Sequence, residues 1–94
     1  MIIEWDQGKN MENKRKHGVS FETAQLVFDD PLSVSIQDRY EGAEERWRTM
    51  GLIGRAVVLV VAHTYTQKAG DERIRIISAR KATKKERALY EEDK

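Results

Sequence analysis

Hydrophobic residues along this chain follow two rhythms, a helical one first and a strictly alternating one after it. Residues 2–5, "IIEW", form a short apolar opening that reads as a strand, and Asp6 behind them is a good helix N-cap. The polar stretch "QGKNMENKRKH" is helix-compatible, and Gly18 stands where a left-handed residue ends a helix, so a first helix is predicted over about 7–16. Ser20 then opens "FETAQLVF", in which Phe21, Ala24, Val27 and Phe28 recur at helical spacing and make one apolar face. Asp29, Asp30 and Pro31 stop it. Both short helices are expected to pack on a sheet.

From residue 32 the period falls to two. "LSVSIQ" alternates Leu32, Val34 and Ile36 with Ser33, Ser35 and Gln37, the pattern of a half-buried strand. "EERWRTMG" is a second, weaker strand, with a turn expected around Gly51 to Gly54. "RAVVLVVAHTY" is β-branched and apolar on both faces, so it should lie centrally. "QKAGD" turns the chain into "ERIRIISA", where Arg73 and Arg75 alternate with Ile74 and Ile76. Thr83 and Glu86, in capping-box spacing, begin a C-terminal helix that runs to about residue 92. Short turns between consecutive strands predict an antiparallel meander. The expected fold is therefore α+β: a small antiparallel sheet with two N-terminal helices and one C-terminal helix.

Composition then narrows the function. A chain of 94 residues is expected to form one domain over 1–94 with a single modest core. The absence of cysteine removes disulfides, thiol nucleophiles and thiolate metal sites, and suits a reducing cytosol. "MIIEWDQGKN" acquires Glu4 and Asp6 before any long apolar stretch, unlike a signal peptide, and the longest apolar run, "AVVLVVA", is too short to cross a bilayer. A soluble, cytoplasmic protein is expected. The glycines form neither a phosphate-cradling loop nor a dinucleotide fingerprint, there is no nucleophile elbow, and two isolated histidines make a poor zinc site. Asp29 and Asp30 before Pro31 read as a helix stop rather than a cation site. No cofactor and no metal is expected.

Charge changes the picture through its distribution. The net value is only +1, from 17 Lys and Arg against 16 Asp and Glu. Yet residues 9–16 carry Lys9, Lys14, Arg15 and Lys16 against Glu12, residues 29–45 are acidic, and residues 72–87 carry seven cations against Glu72 and Glu86. Such runs are ordinarily solvated faces. Two basic segments from opposite ends of the chain could also meet as one polyanion-binding surface, to which Lys16 would contribute. On a strand, Arg73 and Arg75 share one face while Ile74 and Ile76 take the other; Arg80 and Lys81 fall at the strand end, and Lys84, Lys85 and Arg87 extend the charge onto the helix. Arg46 and Arg48 share a face of the neighbouring strand. Guanidinium groups so grouped suit bidentate phosphate binding.

The segments "IEWDQGKNMENKRKHGVSFETAQLVFDDP", "EERW…MG" and "RIRIISARKATKKERALYEE" resemble the BrnT family, the toxins of BrnT–BrnA type II toxin–antitoxin systems. The resemblance covers nearly the whole chain. It implies a compact RelE-like fold, a ribonuclease activity that arrests translation without a metal, and a BrnA-like antitoxin that neutralises it. A BrnA-like partner would also bind operator DNA and carry the toxin along, in a heterotetramer with two copies of each chain. The family's arginine of the "EER" strand falls on Arg46 and those of "RIISAR" on Arg75 and Arg80, with Lys81 where the family carries Arg or Lys. The stretch "HTYTQKAGDE" departs from the pattern, its turn looking longer than usual, which leaves open whether His63 or Tyr65 projects into the site.

RNA is cut without metal when a base takes the 2′-hydroxyl proton, cations stabilise charge on phosphorus, and an acid protonates the leaving oxygen. Under the resemblance, Arg46, Arg75 and Arg80 stabilise the transition state and Lys81 contacts phosphate or donates the proton. His63 or Glu45 is the base, and Arg48, Arg73, Lys84, Lys85 and Lys16 bind RNA. His17 before Gly18 reads as a helix C-terminal residue. Two other classes remain open at this point. A non-catalytic nucleic-acid-binding module would bind RNA without turnover, and a protein-interaction domain docking an acidic peptide would have no RNA affinity.

Overall fold

The computed structural model describes residues 1–41 and 44–92. Its elements follow the chemistry of their ends. β1 (Ile2–Trp5) stops at Asp6, whose side chain accepts from the Lys9 amide at 2.9 Å and starts α1 (Gln7–His17). Gly18 ends that helix at φ 72°, and its amide bonds back to the Lys14 carbonyl. Ser20 caps α2 (Phe21–Ala24), which tightens at once into a 3₁₀ turn over Gln25–Asp29, so the predicted single second helix is two pieces. β2 (Val34–Glu41), β3 (Glu44–Ile53), β4 (Val57–Lys68) and β5 (Asp71–Lys81) follow, then α3 (Lys84–Glu92). The protein is a mixed α+β structure. None of the described helices is long and apolar enough to cross a membrane.

The five strands lie in the order β1-β5-β4-β3-β2, which puts the most apolar strand at the centre as its composition requires. The last four form the expected antiparallel meander, but β1 joins the edge parallel to β5, so the sheet is mixed. That pairing needs the crossover that α1, α2 and the intervening strands supply.

Both sheet faces are used, unequally. On the first, the link after α1, α2 and the 3₁₀ turn cover Leu59, Val61, Ile74, Ile76 and Ala79 with Val19, Phe21, Ala24 and Val27. On the second, α3 covers only Met50, Val58 and Val60 at one end, through the buried ring of Tyr90. The Tyr90 hydroxyl donates to Asp30 at 2.5 Å, and burial together with that carboxylate pushes its pKa up to about 12. Asp30 also accepts from the amides of Leu52 and Leu32 at 2.8 and 2.9 Å. The aspartate of "DDP" thus ties α3 and β3 to the loop before β2.

Three local features of the strands set where side chains point. Gly51 belongs to β3 rather than to a turn: a Cβ there would stand 2.7 Å from Val27 Cβ and 2.9 Å from its backbone, so only glycine lets the 3₁₀ turn press on the strand. The β4–β5 hairpin is not long. Lys68 pairs with Asp71 across a two-residue turn, with Ala69 and Gly70 at φ 54° and 85°. Finally, Ala62 pairs with Ser78 while His63 pairs with Ile76, so Ile77 is an extra residue, a bulge in β5.

Candidate nucleic-acid interface

The bulge decides where the arginines go. Strict alternation from Arg73 and Arg75 would send Arg80 to the opposite face, with Ile74 and Ile76. One inserted residue reverses the parity: Arg73, Arg75, Ser78 and Arg80 pair with Thr66, Thr64, Ala62 and Val60, which share one face of β4. Arg46 and Arg48 pair with Thr64 and Ala62 from the other side. Three cross-strand rows result, Arg46–Thr64–Arg75, Arg48–Ala62–Ser78 and Met50–Val60–Arg80.

The central residues of the first two rows are short, so a hollow runs between the cations. With strands about 4.8 Å apart, Arg46 and Arg75 rise from backbones about 10 Å apart, close enough for both to reach one phosphate. A depression of about 70 Å³ lies there, lined by Lys9, Glu44, Arg46, Thr64, Arg75 and Ile77. Lys9 reaches it because β1 is short and α1 runs along the exposed edge of β5, held by a buried Asn13. The Asn13 side chain accepts from the Ala79 amide at 3.1 Å and donates to the carbonyls of Ala79 and Val19 at 2.8 Å, replacing the strand that β5 lacks beyond Ile76.

The cations differ in how tightly they are held. Arg73 donates to Glu4 at 2.8 Å near the sheet edge. Arg80 makes a bidentate pair with Glu86 at 2.7 and 2.9 Å, while Glu86 also accepts from the Thr83 amide and closes the capping box of α3. That pairing, chiefly the hydrogen bonds from Arg80, lowers the Glu86 pKa to about 2 and raises that of Arg80. Arg80 is therefore not the loose strand-end cation that the sequence suggests; it also anchors a helix. Arg48 stands beside Glu86 and Leu89 in a cleft under α3, its Nε buried without a hydrogen-bond partner. Arg75 is exposed and makes no side-chain hydrogen bond or ion pair among the described residues.

The expected catalytic set is split between the faces. Arg46, Arg75 and Arg80 stand together, with Arg48 and Arg73 around them. His63, Glu45 and Lys81 take the other face, since their partners Trp47, Tyr65 and Leu59 belong to it. Lys81 opens onto a depression with Lys14, Gly18 and Ser20. Lys16 is exposed on α1, and Lys84 and Lys85 are exposed on α3, away from the hollow's lining. Tyr90 belongs to the core, whereas Leu89, its neighbour on α3, is 42% exposed.

His63 is buried, and burial lowers its pKa. Its Nδ1 lies 3.1 Å from the Thr64 carbonyl, which can only accept, so Nδ1 carries the proton. The bare Nε2 then accepts from the Thr49 hydroxyl at 2.7 Å, and the Thr49 oxygen accepts from Ser35 at 2.8 Å. His63 and Tyr65 project together into a pocket of about 250 Å³ on this covered face.

Sequence reading misses Lys9, Glu44 and Thr64. Lys9 counts there only as part of a charge run. Glu44 was legible: in "EERWR" the parity of Arg46 and Arg48 selects Glu44 for the arginine face and sends Glu45 to the other.

A family described as "Ribonuclease toxin, BrnT, of type II toxin-antitoxin system" matches residues 5–86. The chain belongs to that family. BrnT membership brings with it a ribonuclease toxin's RNA target and an antitoxin partner. The matched span contains every residue of the arginine rows and of the hollow, and ends within the first turn of α3. Among curated proteins none matches the chain.

Proposed function

We propose that this BrnT-family protein is a metal-independent, RelE-like endoribonuclease whose arginine face holds the scissile phosphate, arrests translation by cutting RNA, and is covered by a BrnA-like antitoxin. The observation that carries this reading is the β5 bulge, which sets Arg80 on the same face as Arg75 and Arg46. Arg46 and Arg75 grip the phosphate across Thr64 and stabilise the dianionic pentacoordinate transition state in place of a metal. Arg80, held by Glu86, adds a fixed positive field at the rim. Glu44 takes the 2′-hydroxyl proton as the 2′-oxygen attacks phosphorus. The bond from phosphorus to the 5′-oxygen breaks, and Lys9 supplies the proton that the leaving oxygen needs. The products are a 2′,3′-cyclic phosphate and a free 5′-hydroxyl. His63, Glu45 and Lys81 stand outside this step.

An antitoxin of the BrnA kind gains speed of association from acidic side chains facing these arginines. It would bring operator DNA and a two-by-two assembly with it.

Purified protein incubated with RNA in excess EDTA is expected to cut it and leave cyclic phosphate ends. Arg75→Ala should lower the rate by about 100-fold or more while the protein stays folded. Cleavage only on addition of Mg²⁺, 5′-phosphate products, or an Arg75→Ala protein as fast as the parent would overturn the mechanism. RNA binding with no turnover would reduce the protein to a binding module.

A further inference from the structure

The pocket on the covered face is built like a ligand site and takes no part in the proposed cleavage. It is walled by Phe28, Trp47 and Tyr65, with Ser35 and Glu45 at its polar side. Its volume, about 250 Å³, lies just below the range of cavities that hold drug-sized ligands, which suits one flat heterocycle.

Its polar groups specify an occupant. The proton order fixed by His63 makes Ser35 donate inward to Thr49, so Ser35 offers only lone pairs to a ligand. Glu45 makes no hydrogen bond or ion pair among the described residues and offers two more acceptor oxygens. The indole Nε1 of Trp47 is buried and closed to the pocket, so Trp47 offers a ligand apolar ring surface only. Tyr65 is not available, because its hydroxyl already donates to Glu72 at 2.7 Å. The pocket therefore asks for a flat aromatic ring with two adjacent N–H donors on one edge.

We infer that this pocket binds a guanine base. The choice of a nucleobase over any other flat heterocycle rests on the ribonuclease reading; the choice among bases rests on the pocket. Guanine N1–H and N2–H₂ lie side by side and match a carboxylate in bidentate fashion. Adenine N1 and cytosine N3 would turn a lone pair toward Glu45. Uracil has one N–H between two carbonyls. Stacking on Trp47 and Tyr65 adds affinity that any base would share, so Glu45 is the discriminating residue. An RNA lying on the arginine face would place a neighbouring guanine here by passing round the end of the sheet.

The test uses Trp47 as its own reporter. The chain has two tryptophans, so Trp5→Phe leaves one indole, whose fluorescence is followed while guanosine, and then GMP, AMP, CMP and UMP, are added. Guanosine and GMP should quench alike, with about tenfold or more tighter binding than the other three nucleotides, and Glu45→Gln should remove that preference. Ser35→Ala provides a second route if Glu45→Gln does not fold, and should weaken guanosine binding. Arg75→Ala should leave it unchanged. No quenching, equal quenching by all four nucleotides, a preference surviving in Glu45→Gln, or binding lost in Arg75→Ala would each overturn the pocket. No bond is cleaved in this assay, so its failure is separate from a failure of the ribonuclease reading. A hydrophobic peptide from an antitoxin that quenches Trp47 where guanosine does not would assign the pocket to a protein partner instead.

Discussion

The two faces of this sheet are built from the same alternating strands and follow opposite rules. On the covered face, two polar networks close on themselves: Asn13 against Ala79 and Val19, and Ser35, Thr49 and His63 in a directed chain. On the open face, Arg46, Arg48 and Arg75 stand around Thr64, Ala62 and Ser78, and the described carboxylates beside them are Glu44 in the hollow, Glu4 on Arg73 and Glu86 on Arg80. Like charges on neighbouring strands destabilise a sheet. A chain selected only for stability would not gather them there. The difference teaches that the first face makes the fold and the second exploits it.

Adjacent residues give the sharpest way to break that comparison. Ile76 is 1% exposed and points into the covered core; Arg75, its neighbour, points to the open face. Ile76→Ala should cost about 2–5 kcal/mol in urea unfolding, a large part of the stability of a domain this size. Arg75→Ala should change stability by no more than about 0.5 kcal/mol. Comparable losses in the two variants would mean that the arginine face is structural, and the functional contrast would collapse.

Much of this arrangement was legible in the chain. The caps Asp6, Gly18, Ser20 and Thr83, the helical face of Phe21, Ala24 and Val27, and the central position of "AVVLVVA" all follow from local chemistry. The parallel pairing of β1 did not follow, because four residues of "IIEW" carry no mark of their partner, and only the tertiary course of α1 and α2 brings them beside β5. Gly51 misled for a physical reason: glycine marks turns in sequence, whereas here it admits the backbone of Val27. The bulge at Ile77 leaves a mark that strict alternation passes over: "RIRIISAR" breaks its polar–apolar rhythm at the Ile76–Ile77 doublet, after which Ser78 and Arg80 resume it in the opposite parity. Because a single insertion flips every later side chain, the face of Arg80 follows only once that doublet is taken as a bulge.

Asn13 supplies a second, smaller test on the covered side. Its three hydrogen bonds satisfy backbone groups that water cannot reach. Asn13→Ala leaves them buried without partners, and about 2–3 kcal/mol should be lost. Hydrogen exchange should show the Ala79 amide opening earlier than those of Ile74 and Ile76. Because α1 also carries Lys9 to the hollow, RNA cleavage should fall in the same variant at temperatures where it remains folded. Unchanged exchange at Ala79 would show that α1 does not depend on this anchor.

The smallest effect lies where the faces meet, at the Arg80–Glu86 pair under α3. Glu86 has a folded pKa of about 2 against an ordinary value of 4.5, so its charged form is favoured in the folded protein. Stability from this group is fully present above about pH 4.5 and is lost as pH falls toward 2. A shift of that size would amount to about 3 kcal/mol between fully shielded groups. The Arg80 side chain is 37% exposed, and solvent screening reduces the expected contribution to about 1 kcal/mol. Chemical unfolding of the parent and of Glu86→Gln between pH 5 and pH 2 should therefore converge, the parent losing about 1 kcal/mol more over that range. Arg80→Ala should show the same flattening, because the carboxylate then loses the cation that holds its proton off. Parallel curves for all three proteins would show that the pair adds nothing to the folded state, leaving Arg80 as unconstrained as Arg75.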